Sequence, residues 1–176
     1  SVKFDPLNYS SKDHRTIISA SGDVRFLSGV ELRTPALSLE APNFDANNSK
    51  IQLHATYGSE LVVRDTLSLG SGSFIESISG VRPKGGKPVS LDISAGVLEM
   101  SHESYIISAN HEWFDGGGAN PNINLTTRTI LMEDGSFIST ESTNRDKAGE
   151  LSVLAHQLSM QKESKIGSYN FSIGET

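Results

Sequence analysis

The loop His111-Glu112-Trp113-Phe114-Asp115 carries the residue types best suited to ligand binding. Trp113 is the only tryptophan of the chain, and carboxylates and a histidine flank it. Aromatic rings pack on the apolar faces of sugars, while polar neighbours hydrogen-bond the hydroxyl groups. The glycan-binding residues predicted on this basis are His111, Glu112, Trp113 and Asp115. The plainer interpretation is that Trp113 and Phe114 fold down and cover the protein core.

The same loop is also a candidate metal site, because His111, Glu112 and Asp115 carry oxygen and nitrogen ligands. They lie too close in sequence to face one ion together without strong curvature of the loop. No repeating Asp-x-Asp pattern appears, and the absence of cysteine excludes thiolate ligands. We therefore predict no metal and no other cofactor.

Two pairs of glutamates raise the question of catalysis, since polysaccharide-degrading enzymes use two carboxylates that face each other. Glu76 and Glu141 lie two copies apart on similar strands, whereas Glu99 and Glu133 lie on adjacent equivalent coils. On adjacent strands such a pair would be about 5 Å apart, the separation found in retaining glycosidases. Glu99 and Glu133 align only within one or two residues, and glutamates on solvated strands are ordinary. We therefore predict no catalytic residue.

These residues are positioned by a stretch that recurs along the chain. Its template is apolar-x-apolar-x-x-x-Ser-aromatic-Ile, seen best in 66–75, 97–106 and 129–138. Weaker copies begin at Ala36 and Gln157. Successive copies lie about 30, 31, 32 and 28 residues apart, which is a period typical of repeat architectures.

Each copy alternates apolar and polar residues, which is the period of a β-strand with one apolar face. A second alternating piece lies just before the first, beginning at Leu91, Ile123 and Leu151. One repeat cannot bury its own apolar face, but stacked repeats can, because each strand pairs with its equivalent about 4.8 Å away. The prediction is an all-β, right-handed parallel β-helix of about five coils with repeats of roughly 30 residues.

The repeat also predicts which side chains line the interior. Equivalent apolar positions of successive coils should stack in two rows. The predicted rows are Leu37/Leu67/Leu98/Ile130/Leu158 and Leu39/Leu69/Met100/Met132/Met160. A third row consists of Phe44, Phe74, Tyr105 and Phe137, and Lys165 takes its fifth place. The pattern leaves open whether this third row points inward or stacks outside.

The whole chain, 1–176, is predicted to form a single β-helix domain. Residues 1–23 form an irregular segment or a partial coil, and residues 24–173 carry the repeats. Variable insertions should emerge one above another on one side of the helix, where loops usually carry function. These insertions cover 79–88, 110–121 and 142–150.

The C-terminal part contains one local conflict. Leu151, Leu154, Ala155 and Leu158 have the spacing of an amphipathic helix, whereas the repeat register makes the same stretch a strand. We predict the strand. The sequence shows no capping helix at either end, and exposed end coils present strand edges that readily pair. The expected partner is therefore another copy or a neighbouring repeat, bound through the terminal coils.

Composition excludes several classes of partner. The net charge is −6, with 15 Lys and Arg against 21 Asp and Glu and no basic cluster, which argues against nucleic acid. No run approaches 18 apolar residues, so we predict no membrane insertion. A hydrophobic content of 36% is low, but it suits the narrow core of a β-helix.

One part of the repeat resembles a known family. A glycine-rich turn at 116–118 is followed by Asn-Ile-Asn-Leu-Thr-Thr and by Ile-Leu-Met-Glu-Asp-Gly-Ser-Phe-Ile-Ser-Thr-Glu-Ser. Residues 116–140 are thereby similar to the repeats of filamentous-haemagglutinin-type proteins, which are bacterial surface proteins exported by two-partner secretion. The resemblance implies a right-handed β-helix with an extracellular adhesive or structural role.

The expected function is therefore that of a non-catalytic, extracellular or cell-surface β-helix. It would be a segment of an adhesin or a subunit of a self-associating filament, with host or matrix glycans as further partners. The alternative is a carbohydrate-binding or polysaccharide-degrading β-helix that uses the loops around Trp113. A third option is a segment of a trimeric phage or virus fibre.

Overall fold

The chain folds into an all-β parallel solenoid. A computed structural model describes residues 15–54, 57–78, 89–110, 120–142 and 148–170, and this part contains fourteen strands and no helix. In chain order they are β1 (Arg15–Ser19), β2 (Val24–Phe26), β3 (Glu31–Thr34), β4 (Ala36–Ala41), β5 (Phe44–Asn47), β6 (Lys50–His54), β7 (Ser59–Gly70), β8 (Phe74–Ile78), β9 (Ser90–Met100), β10 (Tyr105–Asn110), β11 (Asn122–Met132), β12 (Phe137–Ser142), β13 (Leu151–Met160) and β14 (Lys165–Asn170). All their pairings are parallel.

Successive passes of the chain build two sheets. The smaller sheet has the order β14-β12-β10-β8-β6-β3, and the larger sheet has eight strands, with β1-β4-β7-β9-β11-β13 as its main path. The strands β7, β9, β11 and β13 are long because each fuses the two alternating pieces of a repeat. The predicted fold class is confirmed. The count of about five coils differs slightly from the six strands of the smaller sheet, and the right hand stays a prediction.

The two interior rows are confirmed from β7 onward. Leu67, Leu98, Ile130 and Leu158 are successive Cα partners. The same holds for Leu69, Met100, Met132 and Met160. Up to β11 these side chains are buried in one continuous apolar core. The stretch that could also have been a helix is strand β13, as the repeat register predicted.

The first members of both predicted rows are wrong. Leu37 and Leu39 lie on β4, whereas the Cα partner of Leu67 is Phe44 on β5. The early coils are shorter, because β4 begins two residues after β3 ends and leaves no room for an insertion. The step from Phe44 to Leu67 is 23 residues, so the 30-residue step from Leu37 spans more than one coil.

The serine of the repeat template closes the turn between the two sheets. Ser73 and Ser136 are fully buried, and each donates its hydroxyl to the carbonyl oxygen three residues earlier, at 2.5 and 2.6 Å. Gly72, just before Ser73, has a φ of 69°, a conformation that glycine adopts without steric cost. The Ser-aromatic-Ile motif therefore specifies the turn and the first residues of the smaller sheet.

Candidate functional site

The predicted glycan site lies outside the described residues. His111, Glu112, Trp113 and Asp115 belong to the interval between β10 and β11 that the structure leaves undescribed. The glycan-binding interpretation and the alternative in which Trp113 covers the core both stay predictions. The insertion over 79–88 and part of the insertion over 142–150 also lie outside the described residues.

The strands that flank the three insertions are stacked. The intervals follow β8, β10 and β12, which are neighbours in the smaller sheet. They lead into β9, β11 and β13, which are neighbours in the larger sheet. The insertions therefore leave the solenoid from equivalent points, as the repeat predicted.

The two glutamate pairs do not form facing rows. Glu76 shares its row with Ser139, whereas Glu141 lies two residues further along its strand, in the row of Ile78 and Ala109. Glu99 is level with Leu131, and Glu133 follows the pair formed by Met100 and Met132. Glu99 and Glu133 both line one shallow groove of about 360 Å³, but from different rows. This arrangement lacks the two directly opposed carboxylates that glycoside hydrolysis uses.

The aromatic row stacks on the outside of the smaller sheet. Phe74, Tyr105 and Phe137 are Cα partners, with ring centroids 4.8 and 4.9 Å apart and planes 7° from parallel. The separation matches the distance between strands, so the stack follows the solenoid axis. Both faces of Tyr105 lie against neighbouring rings. Because a sugar packs on a ring face, this row suits stability better than glycan binding.

The environment of Tyr105 changes its acidity. Partial burial, followed by the nearby negative charge of Glu76, raises the pKa of its phenol above the ordinary value. The hydroxyl therefore stays protonated and neutral at physiological pH. Glu76 itself accepts a hydrogen bond of 2.9 Å from Gln52 Nε2.

Phe44 was wrongly assigned to the aromatic row. It is fully buried on β5, where its ring meets Phe26 edge-on, with centroids 5.0 Å apart and planes at 81°. The shorter early coils again explain the error, since the alignment of the first copy is displaced by one strand. The complete outward row is Glu31, Lys50, Phe74, Tyr105, Phe137 and Lys165.

The C-terminal rung, defined as β13 and β14, exposes side chains that are core elsewhere. Ile130 is fully buried, but its row partner Leu158 is 54% exposed. Met132 is 2% exposed, and its row partner Met160 is 38% exposed. The inward positions of the last described rung thus form an apolar surface.

The C-terminal rung lies at the edge of both sheets in the described part of the chain. Among the described strands, β13 pairs only with β11, and β14 pairs only with β12. The outer edge of such a strand carries backbone N–H and C=O groups that can pair with a further strand. Exposed apolar side chains and unpaired backbone N–H and C=O groups therefore lie together on one surface. Such a surface can bind a further pair of strands.

This surface is the strongest site in the described part of the chain. The repeat correctly put Leu158 and Met160 on inward rows, but it could not show that they are uncovered. Among the described residues, no group of three His, Asp or Glu side chains could hold a metal ion. The described part also has no helix long and apolar enough to cross a lipid bilayer.

Comparison with known proteins found no relative of this chain. No family model, curated protein or solved structure matches this chain. The fold class therefore rests on the repeat and on the strand pairing.

Proposed function

We propose that this chain is a non-catalytic structural and adhesive β-solenoid that uses its C-terminal rung as a contact surface. It acts outside the cell, as a segment of a surface adhesin or a subunit of a filament. The observation that carries the proposal is the 54% exposure of Leu158 in a row whose members from Phe44 to Ile130 are fully buried. Covering that row removes apolar surface from water, which favours association.

The extracellular location rests on the similarity of residues 116–140 to filamentous-haemagglutinin-type repeats. The absence of cysteine is compatible with it. The non-catalytic role is supported by the glutamates, since Glu76 and Glu141 occupy different rows. A stack of rungs also provides a long, rigid body, which suits a protein that holds a contact surface away from a cell.

Strand β13 offers a matched pair of substitutions to test the contact surface. Leu158 and Leu154 are both exposed leucines, at 54% and 63%. Leu158 lies on the inward row, whereas Leu154 is the partner of Thr126 on the outer face of the sheet. A lysine at either position adds the same charge to the same strand, and only Leu158→Lys places it on the rung end.

The experiment measures adhesion of beads coated with wild-type, Leu158→Lys or Leu154→Lys chain. The beads are applied to a layer of the chain itself and to a layer of basement-membrane matrix. We expect Leu154→Lys beads to adhere like wild type and Leu158→Lys beads to lose most of their adhesion. Far-UV circular dichroism of each variant checks that the fold is intact. Equal adhesion of the two variants would contradict the proposal.

A further inference from the structure

We propose that the outer face of the larger sheet binds an uncharged linear oligosaccharide in a trough that runs along the solenoid axis. The trough lies between two outward rows of side chains, close to the turn into the smaller sheet. This inference goes beyond the proposed function, because the trough lies on the flank of the solenoid. It does not use the inward side chains of the C-terminal rung.

Six outward side chains form the first row of the trough without interruption. Each is the Cα partner of the next, and each lies between two inward residues of its own strand. This row is Arg25, Asp45, Ser68, Glu99, Leu131 and Ser159. The second row lies two residues further along each strand. It consists of Leu27, Asn47, Gly70, Ser101, Glu133 and Gln161.

Two grooves of the molecular surface lie along these rows. The first, of about 590 Å³, is lined by Arg25, Leu27 and Asn47 among others. The second, of about 360 Å³, is lined by Ser68 and Leu131 among others. Asn47 and Ser68 lie on β5 and β7, which are neighbouring strands, so the two grooves are parts of one trough. Six rungs about 4.8 Å apart give the trough a length of about 24 Å, which suits a chain of sugars.

The middle of the trough has no side chain that closes it. Gly70 lies between Asn47 and Ser101 in the second row. Asn47 Oδ1 and Ser101 Oγ lie 3.7 and 3.5 Å from the point where a Cβ on Gly70 would be. A ligand that crosses Gly70 therefore meets a polar side-chain atom on either side.

The trough offers both acceptors and donors of hydrogen bonds. Carboxylates accept, whereas hydroxyl and amide groups such as those of Ser101 and Gln161 can do both. Glu99 makes no side-chain hydrogen bond or ion pair with the described residues, so its carboxylate is available. A sugar hydroxyl both donates and accepts. The mixed lining therefore matches the hydroxyl groups of a sugar.

Two exposed leucines add apolar surface to the trough. Leu27 is 62% exposed and lines the first groove, and Leu131 is 40% exposed and lines the second. A sugar ring that packs on such a side chain removes apolar surface of both from water. Apolar side chains beside a few polar groups are the usual lining of a small-molecule site.

The charge of the trough argues against an anionic polysaccharide. Arg25 lies beside Asp45 on the next strand, and its Nη2 is 3.8 Å from Asp23 Oδ2. The described lining of the second groove contains Glu99 and Glu133 and no basic side chain. The chain as a whole has a net charge of −6. This field repels carboxylated or sulfated sugars and leaves uncharged ones unaffected.

The experiment measures binding of the full chain to three uncharged hexamers by isothermal titration calorimetry. These are cellohexaose, maltohexaose and hexa-N-acetylchitohexaose, and hexagalacturonate is the anionic comparison. We expect at least one uncharged hexamer to bind more tightly than hexagalacturonate. Binding of none of the three, or tighter binding of hexagalacturonate, would overturn the proposal.

Gly70→Ile tests the position of the bound sugar, because the added side chain fills the middle of the trough. A Cβ on Gly70 makes only ordinary contacts, so the fold accepts it. Ser94→Ile is the matched control, since Ser94 is exposed on the outer face of the same sheet outside the trough. Gly70→Ile should weaken hexamer binding about tenfold or more, and Ser94→Ile should bind like wild type. Equal affinities of the two variants would overturn the proposal.

Glu99→Gln provides a second variant that keeps the shape of the trough. Loss of a charged acceptor should weaken hexamer binding about three- to tenfold. Glu60→Gln is its control, because Glu60 is exposed on a different outer row. Wild-type affinity of Glu99→Gln would overturn the role of its carboxylate. Circular dichroism of each variant checks the fold.

This test is separable from that of the proposed function. Leu158→Lys changes an inward side chain and should leave hexamer binding unchanged. Gly70→Ile should leave adhesion to a layer of the chain itself unchanged. Loss of only one of the two activities in each variant shows that the trough and the C-terminal rung act independently.

Discussion

Ile130 and Leu158 are adjacent partners in one interior row, yet Ile130 is fully buried and Leu158 is half exposed. The two side chains have the same chemistry and the same inward position. They differ in that a further rung covers Ile130, while Leu158 lies on the last described rung. Position along the solenoid axis thus decides whether an inward side chain stabilises the core or offers a contact surface.

The two positions should respond differently to truncation. Ile130→Ala removes fully buried methylene groups and leaves a cavity, so it should lower the free energy of unfolding by about 2–5 kcal/mol. Leu158→Ala should cost about 1 kcal/mol or less in dilute solution, because much of its surface is already in water. Urea unfolding measures the free energy of unfolding of both variants. Equal losses would mean that the last rung is covered within a single copy.

The buried turn serine should matter more in the interior than at the end. Ser73 Oγ donates to Gly70 O and accepts the backbone N–H of Ser49 at 3.1 Å. Ser73→Ala leaves that buried N–H without its acceptor, which should cost about 1–3 kcal/mol of stability. Ser164 makes the same turn bond to Gln161 O at 2.6 Å on the last rung.

Ser164→Ala is the matched control for Ser73→Ala. The freed carbonyl can turn to water on the last rung, so the loss should stay below about 1 kcal/mol. Thermal unfolding monitored by circular dichroism compares the two variants. A Ser164→Ala variant as unstable as Ser73→Ala would show that burial of the turn is not the cause.

Gly96 fills a corner of the larger sheet where no side chain fits. A Cβ there would lie 2.6 Å from the carbonyl oxygen of Asp65 and 2.8 Å from that of Arg64. Gly96→Ala should therefore force a backbone shift and cost about 1–3 kcal/mol. Gly22→Ala is the control, since nothing lies within 4 Å of its added Cβ. Equal melting temperatures of the two variants would argue against this corner geometry.

Asp134 gives the turns a weak dependence on acid. A hydrogen bond from Lys162 Nζ at 2.8 Å lowers the pKa of the Asp134 carboxyl, and the charges of Lys162 and His102 act in the same direction. Its folded pKa lies below the unfolded one, so the contribution to stability is present above the unfolded pKa. It is lost as the pH falls through the folded pKa.

Lys162→Ala should raise the pKa of Asp134 towards its ordinary value of about 3.9. Titration of the carboxyl resonance by NMR measures this change directly. His102→Asn should change the pKa of Asp134 less, because His102 Nε2 lies 3.9 Å from the carboxylate and contributes less to the shift than Lys162. A pKa of Asp134 that does not change in Lys162→Ala would contradict the hydrogen bond as the main cause.

Much of the fold could be predicted from the sequence because strand periodicity and repeat period reinforce each other. From Leu67 onward, insertions of similar length keep the copies 28 to 32 residues apart, and the predicted rows are correct. Before that point the coils are shorter, so Leu37 matched the template by residue type while lying on a different strand. Residue types alone cannot distinguish two apolar strands on either side of one corner.

The candidate site was less predictable. Residue chemistry drew attention to Trp113, a loop residue outside the described part of the chain. The exposed row at Leu158 has the same residue types as the buried rows, so its sequence carries no sign of exposure. Sequence periodicity describes single rungs, whereas the exposure of an inward side chain depends on whether a further rung covers it.

Hydrogen exchange of the wild-type chain at low and high concentration tests the central claim most directly. If the C-terminal rung is a contact surface between copies, amides of β13 and β14 should exchange more slowly as concentration rises. Amides of β9, covered on both sides within one copy, should not change. Rapid exchange of β13 at every concentration, or new protection confined to β9, would contradict the claim.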